Sequence, residues 1–299
     1  MVKTARAALI AVFLTLLGYP AFVQSQGVDN MPRLQKQGAA YQLIVHGKPL
    51  LMLAGELGNS SASDPAYMRP TWPALKSMNL NTVLVPVYWE FLEPAEGKFD
   101  FALVDSAIFS ARGHGMTLVF LWFGSGKNSM SCYVPHWVKA DAKRFPRART
   151  ADGTAQEILS PFSTENMKAD ARAFAALMKH IRVVDGKQHT VLMIQVENEI
   201  GMIPEARDYC RLANAAFAEP VHPELLAHIK KNAGSLTPEL LGLWNNAGSK
   251  SSGTWEEVFG KSPETDEVFM AWQFATYTNY VAKTGKKEYP LPMFVNAAL

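Results

Sequence analysis

A parallel (β/α) barrel is the fold class this sequence predicts, and three observations predict it. Short apolar runs rich in β-branched residues recur along the chain, amphipathic helical patterns lie between them, and polar loops follow the runs. Continuous apolar runs suit strands buried on both faces, as parallel strands are. The class is therefore α/β, a (β/α)8 TIM barrel of which about five βα units are present. A doubly wound open sheet is the competing architecture. It usually announces a Gly-rich phosphate turn after its first strand, and this sequence carries none.

The elements follow in order. Residues 50–54 (LLMLA) form the first apolar run, ending at Gly55-Glu56, and residues 81–87 (NTVLVPV) form the second. Residues 117–122 (TLVFLW) and 191–196 (VLMIQV) are the third and fourth, and residues 292–295 (PMFV), followed by Asn296, the fifth. Asp100 can cap a helix carrying Val104, Ile108 and Ala111, which Gly113 and Gly115 stop. Met167, Ala171, Phe174, Met178 and Ile181 recur at alternating spacings of four and three, one helical face over four turns. Residues 269–281 read as a further helix. The intervals from Leu51 to Val83 and from Val83 to Leu118 are close to the roughly 31 residues of one barrel unit. Later intervals are longer, and the excess sits in loops at residues 124–160 and 219–266, where such barrels build their active sites.

Composition bounds the function. The chain has 299 residues, 48% hydrophobic and 19% charged, enough for a large buried core. A net charge of +2 gives no strong field toward nucleic acid or anionic membrane. Lys3 and Arg6 precede an apolar run from Ala7 to Leu17, a Gly18-Tyr19-Pro20 break and the small-residue exit Val23 and Ser25. That pattern is a secretory signal peptide over residues 1–25, too short for a membrane span. The expectation is an exported protein, periplasmic or extracellular, whose residues 26–299 form the N-terminal portion of the barrel. Cys132 and Cys210 could form one bridge or stand free, and spacing does not decide it. No CxxC or HExxH occurs, so no metal and no cofactor is expected.

Residues just beyond the C-terminal end of each barrel strand face a common cleft. That rule gathers Glu56, then Tyr88, Trp89 and Glu90, then Trp122 and Phe123, then Glu197, Asn198 and Glu199, and finally Asn296. Carboxylates beside aromatic rings and amides are what glycoside hydrolysis requires: one carboxyl protonates the leaving oxygen, another attacks or activates water, and amides hold sugar hydroxyls. The sharpest feature is Gln195-Val196-Glu197-Asn198-Glu199, where two carboxylates flank an amide at the exit of an apolar strand. Repulsion and partial burial there would raise one pKa, as a general acid needs.

The QVENE segment resembles the acid/base motif of glycoside hydrolase family 35, the β-galactosidases. Gly55-Glu56 is similar to that family's first-strand motif, residues 87–94 (VYWEFLEP) with residues 97–101 (GKFDF) to its second, and Pro135-His136-Trp137 to the segment after its third. Family 42 galactosidases share the barrel and the Asn-Glu signature. The resemblance implies a retaining, exo-acting enzyme on terminal β-D-galactose of oligo- or polysaccharides. Glu199 would be its general acid/base, and Asn198 would bind the hydroxyl next to the anomeric carbon. Glu197, Glu56, Tyr88, Glu90, Trp122 and Asn296 would be substrate-binding, Trp122 as a stacking face.

Gly58 and Leu92 stand where many relatives carry His, which removes polar groups near the sugar. The nucleophilic Glu of the family follows the seventh strand, and no segment here resembles it. The expectation is thus a truncated barrel with two unpaired edges, unstable and inactive alone. An inactive fragment, a non-catalytic carbohydrate-binding protein, and the same chemistry on arabinose or fucose are the alternatives.

Overall fold

A computed structural model describes residues 31–128, 131–203 and 205–297; the predicted signal peptide, residues 1–25, lies outside the described residues. Strands β1 (Arg33–Gln37), β2 (Ala40–Val45) and β3 (Lys48–Pro49) form a small antiparallel sheet. The principal sheet contains β4 (Ala54–Glu56), β5 (Thr82–Tyr88) and β6 (Thr117–Phe123). β7 (Arg147–Arg149) and β8 (Ala155–Leu159) pair antiparallel within the excursion after β6. β9 (Val191–Gln195) and β10 (Met293–Phe294) then complete the principal sheet. Its five strands are all parallel, in the order β10-β9-β6-β5-β4. Successive strands are spatial neighbours, as the wall of a (β/α) barrel requires.

Helices α1 (Pro65–Met68) and α2 (Thr71–Ser77) connect β4 to β5, and α3 (Trp89–Leu92) and α4 (Ala102–Gly113) connect β5 to β6. Asp100 accepts the Ala102 N–H at 2.8 Å as α4 begins. After β6 come α5 (His136–Lys139) and the long α6 (Thr164–Asp185). The 219–266 stretch, expected as loop, instead carries α8 (Pro223–Lys231), α9 (Pro238–Asn246) and α10 (Trp255–Phe259), preceded by α7 (Arg211–Ala218). These helices bury Leu226, Ile229, Trp244, Trp255 and Phe259 in a cluster of their own. Helix α11 (Pro263–Glu288) overruns the predicted 269–281 at both ends.

Strand alternation divides the core. Val83, Val85, Val87, Leu118, Phe120 and Trp122 point outward and pack on Val104, Ile108 and Ala111 of α4 and on Ala171, Phe174, Met178 and Ile181 of α6. Val119, Leu121, Phe123 and Tyr88 point inward and form a smaller cluster with Leu84, Met193 and Phe294. Both faces of the central strands are therefore dry, which explains their unbroken apolar sequences. Helices α6 and α11 touch at Gly285, where an added Cβ would lie 2.3 Å from Phe174 Cε1 and 3.0 Å from Met178 Cγ.

The placement of the first strand changes. The first strand is Ala54–Glu56 rather than the apolar run before it, and Leu51 and Leu53 are exposed. The side chain of Asn81 stands in for a strand ladder there, its Nδ2 donating to Leu51 O and its Oδ1 accepting from Leu53 N, each at 2.9 Å. A strand with one neighbour buries only part of an apolar run. Of the two readings left open for the cysteines, the free one holds: Cys132 and Cys210 are unbridged, and Cys210 caps α7, its Sγ accepting the Ala213 N–H at 3.5 Å. Among the described residues no helix is long and apolar enough to cross a membrane, and no group of His, Cys, Asp and Glu could hold a metal ion.

Candidate active site

Strand β9 ends at Gln195, and the chain turns there through two left-handed residues, Glu197 (φ 62°) and Glu199 (φ 48°). Backbone of this kind costs about 1–3 kcal/mol per residue and persists only where the surroundings hold it. Here they do. Gln195 Nε2 donates to Glu197 O (3.0 Å) and Asn198 Oδ1 (2.8 Å). Asn198 N–H donates to Gly126 O at 2.9 Å, and Asn128 N–H to Asn198 O at 3.2 Å, which zips the loop after β6 onto the turn after β9. Asn296, beyond β10, accepts the Glu199 N–H on its Oδ1 at 2.7 Å. Three strand exits thus converge on residues 197–199.

The two carboxyls of the turn end on opposite sides. Glu199 has a side chain 43% exposed. Its Oε2 accepts from Asn128 Nδ2 at 2.9 Å and from Lys127 Nζ at 3.1 Å. The Asn128 hydrogen bond, then that of Lys127, hold it below the ordinary carboxylate range. Lys127 is buried, with its ammonium 4.9 Å over the Phe123 ring.

Glu197 is 1% exposed. Its Oε2 accepts the Gly126 N–H at 2.6 Å, while Oε1 receives no donor from the described residues and abuts Asp170 of α6. Burial first, then the Asp170 charge, push the Glu197 carboxyl well above its ordinary range. Asp170 is itself fully buried and accepts from Trp122 Nε1 (2.8 Å), Ser125 N–H (2.9 Å) and Tyr277 Oη (3.0 Å). Gly124 makes room for this pair: a Cβ there would lie 2.7 Å from both Asp170 Oδ1 and Glu197 Oε1.

The remaining predicted positions separate. Trp122 offers no stacking face: it is fully buried on the outward side of β6, beside Phe174 at 5.7 Å between ring centres. Trp89 is likewise core, its Nε1 donating to buried Glu93 at 2.8 Å. The rings beneath the mouth are Tyr88, Phe123 and Tyr133, with centres 5.2–5.9 Å apart. Tyr88 is itself 3% exposed, and burial raises its phenol. Glu90 pairs with Lys139 at 3.1 Å instead of standing free for a ligand. Glu56 ends β4 in solvent, three strand spacings from β9 and so up to roughly 14 Å away.

Sequence reading missed Lys127, Asn128, Asp170 and Tyr277. Asp170 left a signal. It lies three residues after Met167 and four before Phe174, a charge on an otherwise apolar helical face. Lys127 and Asn128 sit in the loop after β6 and carry no comparable pattern.

Comparison with known proteins bears on the fold and the family. A β-galactosidase of Xanthomonas manihotis is 22% identical over 291 residues, covering 91% of this chain and 44% of the relative. The solved β-galactosidase of Bacillus circulans sp. alkalophilus superposes with a TM-score of 0.54 at 17% identity, covering 82% of this chain and 36% of that one. That of the Antarctic haloarchaeon Halorubrum lacusprofundi gives 0.52 at 20% identity over the same shares. The chain therefore spans less than half the length of each of these three proteins. The likeness to the solved structures supports the barrel wall described above. The family model of glycoside hydrolase family 42, described as Beta-galactosidase, matches residues 66–287. The family is thus family 42 rather than the family 35 expected from the motifs, and the chain belongs to the glycoside hydrolase family 42 β-galactosidases.

Proposed function

We propose that this chain carries the acid/base side of a retaining, exo-acting glycosidase that removes terminal β-D-galactose from oligo- or polysaccharides outside the cytoplasm. The observation that carries this reading is Glu199: a half-exposed carboxyl at the mouth of the parallel sheet, gripped by Lys127 and Asn128 and anchored through its backbone to Asn296. In this reading Glu199 protonates the glycosidic oxygen and then deprotonates the attacking water. Asn198, fixed through its carbonyl oxygen Oδ1 by Gln195, turns its amide NH2 toward Glu199, and that group would donate to the sugar hydroxyl beside the anomeric carbon. Retention needs a second carboxylate about 5–5.5 Å from the first.

A resting carboxylate cannot donate a proton, so the electrostatics must change when sugar arrives. A glycoside that covers Glu199 strips water from it, and desolvation raises a carboxyl. The leaving oxygen is an acceptor, so beside it only the protonated carboxyl can form a hydrogen bond. Each effect moves Glu199 toward the protonated form an acid requires.

Glu199→Gln in the full-length protein tests the assignment. Cleavage of poor leaving groups should fall by roughly 10²–10⁴, activated nitrophenyl galactosides should suffer less, and azide should restore turnover of the latter. Equal loss on every aglycone without azide rescue would sink it. The lowered pKa of Glu199 favours one other reading, a sugar-binding site whose ionised carboxylate only accepts hydroxyl hydrogen bonds. Galactose binding by calorimetry without hydrolysis of any nitrophenyl glycoside would decide for it.

A further inference from the structure

Behind Glu199 lies a carboxyl pair that the reaction as described leaves unused. Asp170 has three donors spread over both oxygens: Trp122 Nε1 on Oδ1, and Ser125 N–H and Tyr277 Oη on Oδ2. Ser125 Oγ and Tyr277 Oη are in turn 2.5 Å apart, so the donors are locked to one another. Three donors satisfy a buried anion. Among the described residues Glu197 has only the Gly126 N–H, on Oε2; its buried Oε1 has no donor and lies beside Asp170 Oδ1, the two oxygens flanking the place a Gly124 Cβ would take. An unpaired buried acceptor is costly, and more so beside another carboxylate. One proton turns that repulsion into a charge-assisted hydrogen bond. Because Asp170 is already supplied with donors, the proton belongs on Glu197.

We propose that Glu197 is a neutral carboxylic acid that donates from Oε1 to the Asp170 carboxylate and holds, through Oε2, the turn whose Lys127 and Asn128 grip Glu199. The chain of contacts is continuous. Gly126 N–H binds Glu197 Oε2, Gly126 O accepts the Asn198 N–H, and the next two residues, Lys127 and Asn128, donate to Glu199. Glu197 is therefore a positioning residue for Glu199. The groups facing it are Asp170 from α6, Tyr277 from α11, and Ser125 and Gly126 from the loop after β6. Its influence on turnover rests on Glu199 being the acid/base. Its protonation does not.

Both readouts of the test are independent of hydrolysis. The infrared carbonyl stretch of a protonated carboxyl should persist in the folded protein at neutral pH, vanish in Glu197→Gln and survive in Glu199→Gln. Glutamine reproduces the proposed bonding, its amide NH donating to Asp170 and its oxygen accepting from Gly126. Glu197→Gln should therefore keep the depressed carboxyl of Glu199, followed by carbon-13 NMR of labelled glutamate. Glu197→Ala should let it rise toward the ordinary carboxylate value. Absence of the protonated band at neutral pH, or a Gln variant that releases Glu199 as fully as Ala does, overturns the proposal. Should the Ala variant fail to fold, the band in the unaltered protein decides alone. If the band and the Gln result hold while Glu199→Gln leaves hydrolysis intact, the acid/base assignment fails and the buried acid stands.

Discussion

The dry pocket behind residues 195–199 and the wet mouth in front of them handle the same functional group in opposite ways. Behind, Glu197 meets another carboxylate away from water and is driven toward its neutral form. In front, Glu199 meets an amide and an ammonium at the solvent boundary and is driven toward its charged form. Only Asn198 separates them, and the left-handed backbone at each glutamate sends their side chains to different regions. Environment, set by three strand exits and two helices, decides what a glutamate can do here.

Removing the anion should break the contrast most severely. Asp170→Ala strands Trp122, Ser125 and Tyr277 as donors and leaves Glu197 without its partner. A stability loss on the order of 3–5 kcal/mol is expected from denaturant titration. A loss below about 1 kcal/mol would mean the pocket is wetter than its burial says. Tyr277→Phe removes one donor to a charged acceptor and should cost about 1.5–3 kcal/mol. Water replacing the hydroxyl would show as a smaller loss.

The pH dependence should be milder, and it separates the two sides by sign. Glu197 binds its proton more tightly when folded than unfolded, so its contribution is complete below the ordinary carboxylate value and falls as pH rises toward its elevated folded value. Glu199 binds its proton less tightly when folded. Its contribution is present above the ordinary value and disappears as the medium is acidified. Thermal melts of Glu197→Gln should lose the decline on the alkaline side, and those of Glu199→Gln part of the decline on the acid side. Identical pH profiles for the two variants would erase the distinction.

Much of the wall was legible before any coordinates. β5, β6 and β9 are buried on both faces, so their sequences have to be apolar along most of their length, and residues 83–87, 118–122 and 191–194 are. The exit at Glu197–Glu199 follows from where the last of those runs stops. The first strand was misplaced because apolar content does not record how many neighbours a strand has, and β4 has one. Trp122 was misread by ignoring parity. It shares its face with Leu118 and Phe120, which pack on helices, whereas Phe123 points into the barrel. The site's supporting groups were least visible, because Asp170 and Tyr277 come from α6 and α11, distant in sequence from residues 195–199 and from each other. Only the fold brings them together.

The missing carbon at Gly285 reaches further than the helix pair it joins. Phe174 fills the space an alanine methyl would need, its ring packs beside Trp122, and the Trp122 indole nitrogen holds Asp170. A methyl group at 285 would push on an aromatic relay that ends at the buried acid. A hydrogen where other residues carry a methyl or more, on the outer layer, thus sets the tolerance of chemistry at the centre.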